Sequence, residues 1–353
     1  MTVIDDKANF IFADSEVELP NNNPARRLRN PVPFEGQDGF FSESWFPICL
    51  SSELAVGELR GEKFLDGKVV AYRGDDGVAR VMSAFCPHLG ADLSIGSVVG
   101  NNIQCPFHHW QYDRQGTCVK TAIGDKAPKA AQRFKFPTVE HYGIVWAFNG
   151  NRPHWDLPNF ARPREHLEFK LFRFSDDLYD CDPWVFAANT PDMQHLKILH
   201  KTRFTMPDPH DSVEWGDWGF RYTFAAEHQG GIPIEWRVGI DGTSVFIQEG
   251  PYGDFWLGGL VGFGLPEPGR HEGFAVLAID RTELTSNDPE EQARERFNTA
   301  IELMVRTVSE DKEILNTIHY NAGTLTAGDE TLARYLNFLR KYPRSHHSGE
   351  FIR

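Results

Sequence analysis

No apolar run in this 353-residue chain reaches the ~18 residues a membrane-spanning helix needs, and no charged-then-apolar leader opens it. Both absences argue against a membrane protein and set the expectation of a cytoplasmic one. Cysteine is scarce, with five in all. Two of the five belong to a motif described below, which leaves Cys49, Cys118 and Cys181, an odd remainder that excludes a disulfide framework and reads as buried or free thiols. Positive charge is also short: 36 basic against 50 acidic residues give 36 − 50 = −14, which excludes a nucleic-acid or anionic-membrane partner but is compatible with a basic redox partner. No strand followed by G-x-G-x-x-G occurs, so the chain has no fingerprint for binding its own nicotinamide or flavin. Internal repeats are absent too. Hydrophobic residues, at 41%, and aromatics, at 13%, are plentiful enough for buried cores, and the length allows two or three domains.

What is present gathers near residue 100. Cys86-Pro87-His88 and Cys105-Pro106-Phe107-His108 supply thiolate and imidazole in equal number, as a [2Fe–2S] centre with two sulfur and two nitrogen ligands requires. Zinc is the rival, but its usual modules pair Cys with Cys and His with His. The two pairs, separated by 16 residues, resemble the Rieske iron–sulfur motif. In such a centre two cysteines hold one iron and two histidines the other. Rieske proteins of respiratory complexes usually carry a further cysteine beside each pair; here Leu89, Gly90 and Ala91 follow the first pair, and His109 and Trp110 the second. The resemblance is therefore to the oxygenase type.

A second constellation follows at Asn189-Thr-Pro-Asp192-Met-Gln-His195-Leu-Lys-Ile-Leu-His200. Two imidazoles and one carboxylate that leave coordination positions open form the facial triad of mononuclear Fe(II) oxygenases. Taken alone, the segment also reads as an amphipathic helix with two histidines. On an ideal helix, positions 195 and 200 are turned about 140° apart, so a bulge between them is expected if both face one metal. The pattern is similar to that of the catalytic domain of Rieske non-haem iron oxygenases, especially the monooxygenase and demethylase branch.

That resemblance implies His195, His200 and Asp311 as iron ligands, with Glu310 and Glu313 as rivals for the carboxylate. It also implies that Asp192 bridges to a Rieske histidine of a neighbouring subunit in a head-to-tail homotrimer, and that Asn189 stands beside the iron. Electrons would come from NAD(P)H through a separate reductase, with or without a ferredoxin. O2 would be the co-substrate, and the substrate a small apolar or aromatic molecule to be hydroxylated or oxidatively demethylated. A cis-dihydroxylating dioxygenase is the alternative within the enzyme class; a Rieske electron carrier is the alternative outside it.

The expected fold class is α+β. Residues 1–42, polar and rich in Asn and Pro, read as an arm with little core of its own. Residues 43–150 read as a small antiparallel β domain holding the cluster, and segment 121–137, with Pro128 and Pro137, resembles the family's proline-containing loop that covers it. Residues 151–353 read as an α+β domain with an antiparallel sheet, entered by a Pro/Arg-rich linker over 151–175; the resemblance implies that it is a catalytic domain of helix-grip (START-like) form. In that domain strands are expected at Phe220–Phe224, Ile234–Ile240, Ser244–Gln248, Phe255–Gly264 and Gly273–Ile279. A helix should begin after Asp288 as cap and Pro289 as first residue, burying Phe297, Ile301, Met304 and Val308. A last helix buries Leu332, Tyr335, Leu336 and Leu339. His109 and His319 read as structural or surface residues, and Trp110 and Tyr112 as packing for the cluster loop. Some of Phe220, Tyr222, Phe224, Trp236, Phe246, Phe255 and Trp256 are candidate pocket walls, although most of them should be core.

Overall fold

Short runs of β-branched and aromatic residues broken by glycine turns build the N-terminal half from small antiparallel sheets. The computed structural model describes residues 31–228, 230–318 and 324–353; His319 lies outside them, as does the expected arm up to residue 30. One sheet joins Leu59–Phe64, Gly67–Arg73, Ala79–Ser83 and Lys135–Phe136, and a second joins Trp45–Leu50, Ile144–Phe148 and Thr138–His141. A third, of Ser97–Val99, Asn102–Gln104, Gln111–Tyr112 and Cys118–Lys120, carries the second Cys/His pair at the end of its second strand.

The C-terminal half is one large antiparallel sheet in the order Leu167–Tyr179, Arg270–Asp280, Phe255–Glu267, Val245–Tyr252, Ile232–Asp241, Gly219–His228 and Arg203–Phe204, with Glu214–Trp215 also pairing to Gly219–His228. Period-two alternation divides its strands between two cores. In Arg270–Asp280, Phe274, Val276 and Ala278 pack with Trp45, Trp146 and Phe148, whereas Leu277 and Ile279 pack with Trp184, Phe297, Leu303 and Tyr335. Both faces are covered, which is why these strands read as near-continuous apolar runs. The helix Pro289–Leu315 begins as expected: Asp288 caps it by accepting from the Glu291 N–H at 3.0 Å. Glu330–Lys341 buries Tyr335, Leu336 and Leu339.

Two expectations need correction. The linker does not extend to 175, because a strand begins at Leu167 and pairs in register with Arg270–Asp280. The alternation Leu167, Phe169, Leu171 was overshadowed by the Pro/Arg composition just before it. The arm is not without a core either: Val32 and Phe41 are buried, and Phe41–Ser42 pairs with Arg344–Ser345.

Gly262 marks how tightly the first core is filled, since a Cβ there would lie 2.3 Å from the Trp146 ring and 3.0 Å from Pro47. Gly262→Ala should destabilise the protein by about 1–3 kcal/mol through overpacking. Thermal or denaturant unfolding checks this, and an unchanged midpoint would mean the Trp146 contact has slack.

Candidate metal centre

One backbone device shapes both cluster loops. Cys86 N–H donates to the Ala91 carbonyl (2.9 Å) and Gly90 N–H returns to the Cys86 carbonyl (2.8 Å). Cys105 N–H donates to the Trp110 carbonyl (2.8 Å) and His109 N–H returns to the Cys105 carbonyl (3.1 Å). In each loop the fourth residue after the cysteine is left-handed, with φ of +79° at Gly90 and +53° at His109. Glycine adopts this conformation without steric cost, whereas a side chain there is strained. His109 thus closes a turn. At Gly96, whose φ is −82°, the need is space instead: a Cβ would sit 2.2 Å from the Gln104 carbonyl oxygen.

These loops set the sulfurs inward and the imidazoles outward. Cys86 and Cys105 are buried, and burial together with the neighbouring Cys86 pushes the Cys105 thiol up. The Cys86 sulfur lies 3.0 Å from the Tyr112 hydroxyl. His88 is exposed, and its ring meets that of His108 edge-on with centroids 4.6 Å apart, while Trp110 stacks on it at 4.4 Å. A single zinc needs its donors around one point. Here they divide into a sulfur pair and a nitrogen pair, and among the described residues only His195, His200 and Asp311 make a compact set of three or more such donors. That division suits two irons rather than one zinc.

The second site forms where a helix stops. Pro183–Ala187 and Met193–Ile198 are short helices joined by a turn that the Tyr222 hydroxyl ties to the sheet by donating to the Thr190 carbonyl at 2.6 Å. Asp192 caps the second helix, its Oδ1 accepting from the His195 backbone N–H at 2.9 Å. The expected bulge is not what turns the two histidines together. The helix ends at Ile198, Lys201 turns left-handed at φ +52°, and His200 swings back beyond the terminus.

Three donor atoms then converge. His195 Nε2 and His200 Nε2 are 2.9 Å apart, and Asp311 Oδ1 is 3.1 Å from the first and 3.2 Å from the second. Donors at right angles, each about 2.1 Å from a common ion, would be about 3 Å apart. Asp311 Oδ1 is buried and, among the described residues, has no hydrogen-bond partner beyond these two close imidazole nitrogens, so it is placed to share an ion with them. Burial pushes the Asp311 carboxyl up, but His195 and His200 hold it below the usual range. His200 is likewise pushed down by burial but held above the ordinary imidazole range by Asp311 and Glu310. Glu310, expected as a rival ligand, instead lies 2.8 Å from His200 Nδ1, on the far side of the ring from the donor triangle. A carboxylate in that position fixes tautomer and ring orientation.

The triangle opens into a cavity of about 190 Å³ lined by Asn189, Tyr222, Phe224, Trp236, Phe246 and Phe263, among others. Of the candidate wall aromatics, Phe220, Phe255 and Trp256 are core instead. Sequence reasoning missed His228 and Gln248, polar groups in the same lining. Strand register could have found Gln248, which pairs with Val238, another lining residue.

Comparison with known proteins points the same way. Residues 44–134 match the Rieske [2Fe-2S] domain. The chain is 40% identical over 185 residues to aminopyrrolnitrin oxygenase PrnD of Pseudomonas fluorescens, covering 50% of each, and 38% identical over 210 residues to methylxanthine N1-demethylase NdmA of Pseudomonas putida, covering 55% of this chain and 58% of the relative. The chain thus spans about half the length of the curated relatives it matches. The fold resembles that of dicamba monooxygenase bound to dicamba, with a TM-score of 0.64 at 21% identity over 85% of this chain and 97% of the other.

His195→Ala should abolish retention of the non-cluster metal and leave the cluster's visible and EPR spectra intact. Glu310→Gln should keep the triangle but weaken metal affinity about 10–100-fold. Metal analysis after graded chelation reads both, and loss of the cluster spectrum in His195→Ala would place that residue at the wrong site.

Proposed function

We propose, from the premise that this chain belongs to the Rieske non-haem iron oxygenases on their monooxygenase and demethylase side, that it is the terminal oxygenase of a multicomponent system. Family membership implies two cofactors, a [2Fe–2S] Rieske cluster and a mononuclear iron. Cys86, His88, Cys105 and His108, in a domain over 43–150, would hold the first; His195, His200 and Asp311, in a domain over 151–353, would hold the second. When bound, the cluster supplies electrons singly and the iron supplies oxygen activation beside the substrate. The observation that carries the reading is the convergence of the three donors at the wall of a largely apolar cavity.

The reaction is hydroxylation or oxidative demethylation. One atom of O2 enters a C–H bond and the other leaves as water, which consumes two electrons and two protons. The electrons come from NAD(P)H through a separate reductase, with or without a ferredoxin.

Substrate choice follows from the lining. Among the described residues it contains no Lys, Arg or Glu, and the carboxylate that lines it is the proposed ligand Asp311. A charged molecule would be desolvated there without a partner, so the substrate is neutral and apolar or aromatic. Among the described residues, Trp236 Nε1 and His228 Nδ1 are buried in the lining without a partner. Burial pushes His228 down to about 4, with Arg306 and His200 acting in the same direction, so its ring is neutral at neutral pH. These atoms suit a substrate that carries a hydrogen-bonding group such as a carbonyl. Asn189, whose amide nitrogen is buried without a partner, stands beside the triad and would orient the reacting group.

Asp192 would carry the electron from a neighbouring subunit's cluster to the iron in a head-to-tail homotrimer. Support comes from the cluster tip, where Leu89 is 66% and Phe107 62% exposed beside His88 and His108, an apolar rim suited to burial against another copy. No described helix is long and apolar enough to cross a membrane; a cytoplasmic location is part of this proposal.

Asp192→Ala should retain both metal sites but lose NADH-coupled product formation by orders of magnitude, and near-normal turnover would refute the bridging role. Trp236→Phe should raise KM about tenfold for neutral substrates bearing an acceptor and leave kcat little changed. Oxygen uptake with a surrogate reductase, with product identification, measures both; equal effects on acceptor-free analogues would remove the hydrogen bond from the account.

A further inference from the structure

Among the described residues no carboxylate pairs with the buried cation Arg133. It lies in the segment covering the cluster loops, two residues after Ala131, which packs with Cys86, Cys105 and Tyr112. It is 5% exposed, its Nη2 donates to the Ser83 hydroxyl at 2.5 Å and to the Ser83 carbonyl, and its Nε is buried without a partner. Ser83 ends the strand that leads into Cys86. Burial lowers the guanidinium to about 10, and the groups that oppose this are Tyr112, Cys86 and Cys105, so it stays charged at neutral pH. The Tyr112 hydroxyl itself points at the Cys86 sulfur, 3.0 Å away. The two sulfurs remain.

An arginine is almost never fully buried unless something compensates its charge. A surface role is excluded by its burial, and an ordinary ion pair by the identity of its neighbours. We propose that Arg133 is the internal counter-charge of the iron–sulfur cluster and raises its reduction potential. The inference rests on the Rieske reading of the two Cys/His pairs.

The charge balance gives the sign. With two ferric ions, two bridging sulfides, two thiolates and two neutral imidazoles, the oxidised cluster is formally neutral. One electron from the external reductase converts one ferric ion to ferrous, leaving a single negative charge; no bond breaks and no proton need move. A fixed cation in a medium of low dielectric stabilises the reduced form more than the oxidised one. It therefore makes the cluster easier to reduce. Without the cluster, the cysteines revert to neutral thiols and Arg133 has no anion at all, so its charge is a burden on the apoprotein.

A purely structural arginine would not show these opposite effects in the two states. Arg133→Met, which keeps the volume and removes the charge, should lower the equilibrium constant for cluster reduction on the order of tenfold, or 59 mV for a one-electron couple. The same substitution should leave apoprotein thermal stability unchanged or raised. Arg133→Lys should keep the wild-type potential. Spectroelectrochemical titration followed by EPR reads the potential, and calorimetry of the apoprotein reads the stability. A wild-type potential in Arg133→Met overturns the proposal, as does a potential in Arg133→Lys as low as that of the neutral variant. If Arg133→Met and Arg133→Gln fail to assemble a cluster while Arg133→Lys assembles one at the wild-type potential, the requirement for charge is supported. If the wild-type protein shows no mixed Cys/His cluster spectrum, the Rieske reading itself has failed, a result distinct from an unchanged potential.

Discussion

Three donor atoms from two distant segments meet within 3.2 Å, and the C-terminal half of the molecule is built around that meeting. Two imidazole nitrogens and a carboxylate oxygen do not approach one another in a dry cavity unless something is gained, since each gives up water and Asp311 Oδ1 has, among the described residues, no hydrogen-bond partner beyond those nitrogens. A shared cation is the simplest compensation. The fold sustains the arrangement at both ends: a short capped helix and its abrupt termination bring His195 and His200 together, and the helix Pro289–Leu315 brings Asp311 against them.

The cluster site obeys the opposite constraint. Its donors must stay in two pairs, and two loops with the same Cys+4 turn hold the sulfurs in the core and the rings at the surface. The sulfurs sit among Tyr112 and apolar side chains, while the His88 and His108 rings lie at the rim beside exposed Leu89 and Phe107. The large sheet joins the halves because its two faces belong to different cores, one shared with the cluster domain and one with the helices around the cavity.

Much of this was legible in the sequence because the chemistry is local. Each Cys/His pair lies within four residues, and His195 and His200 lie five apart, so spacing alone named the donor types. Asp311 needed a family resemblance, yet helical phase would have helped: it falls about 40° from Phe297 on the buried stripe, whereas Glu310 and Glu313 point about 140° and 160° away. The strand beginning at Leu167 was obscured by its Pro/Arg-rich approach. The roles of Glu310 and Arg133 could not be read at all, since each depends on which distant atoms burial places beside it. The same holds for His228 and Trp236, whose meaning lies in lacking a partner.

Two iron environments in one polypeptide are the centre of this account, and the most direct test is a joint determination of iron, zinc and acid-labile sulfide in the purified protein. The account predicts about three irons to two sulfides with negligible zinc. Two irons to two sulfides would remove the mononuclear centre and leave an electron carrier; zinc without sulfide would contradict both sites.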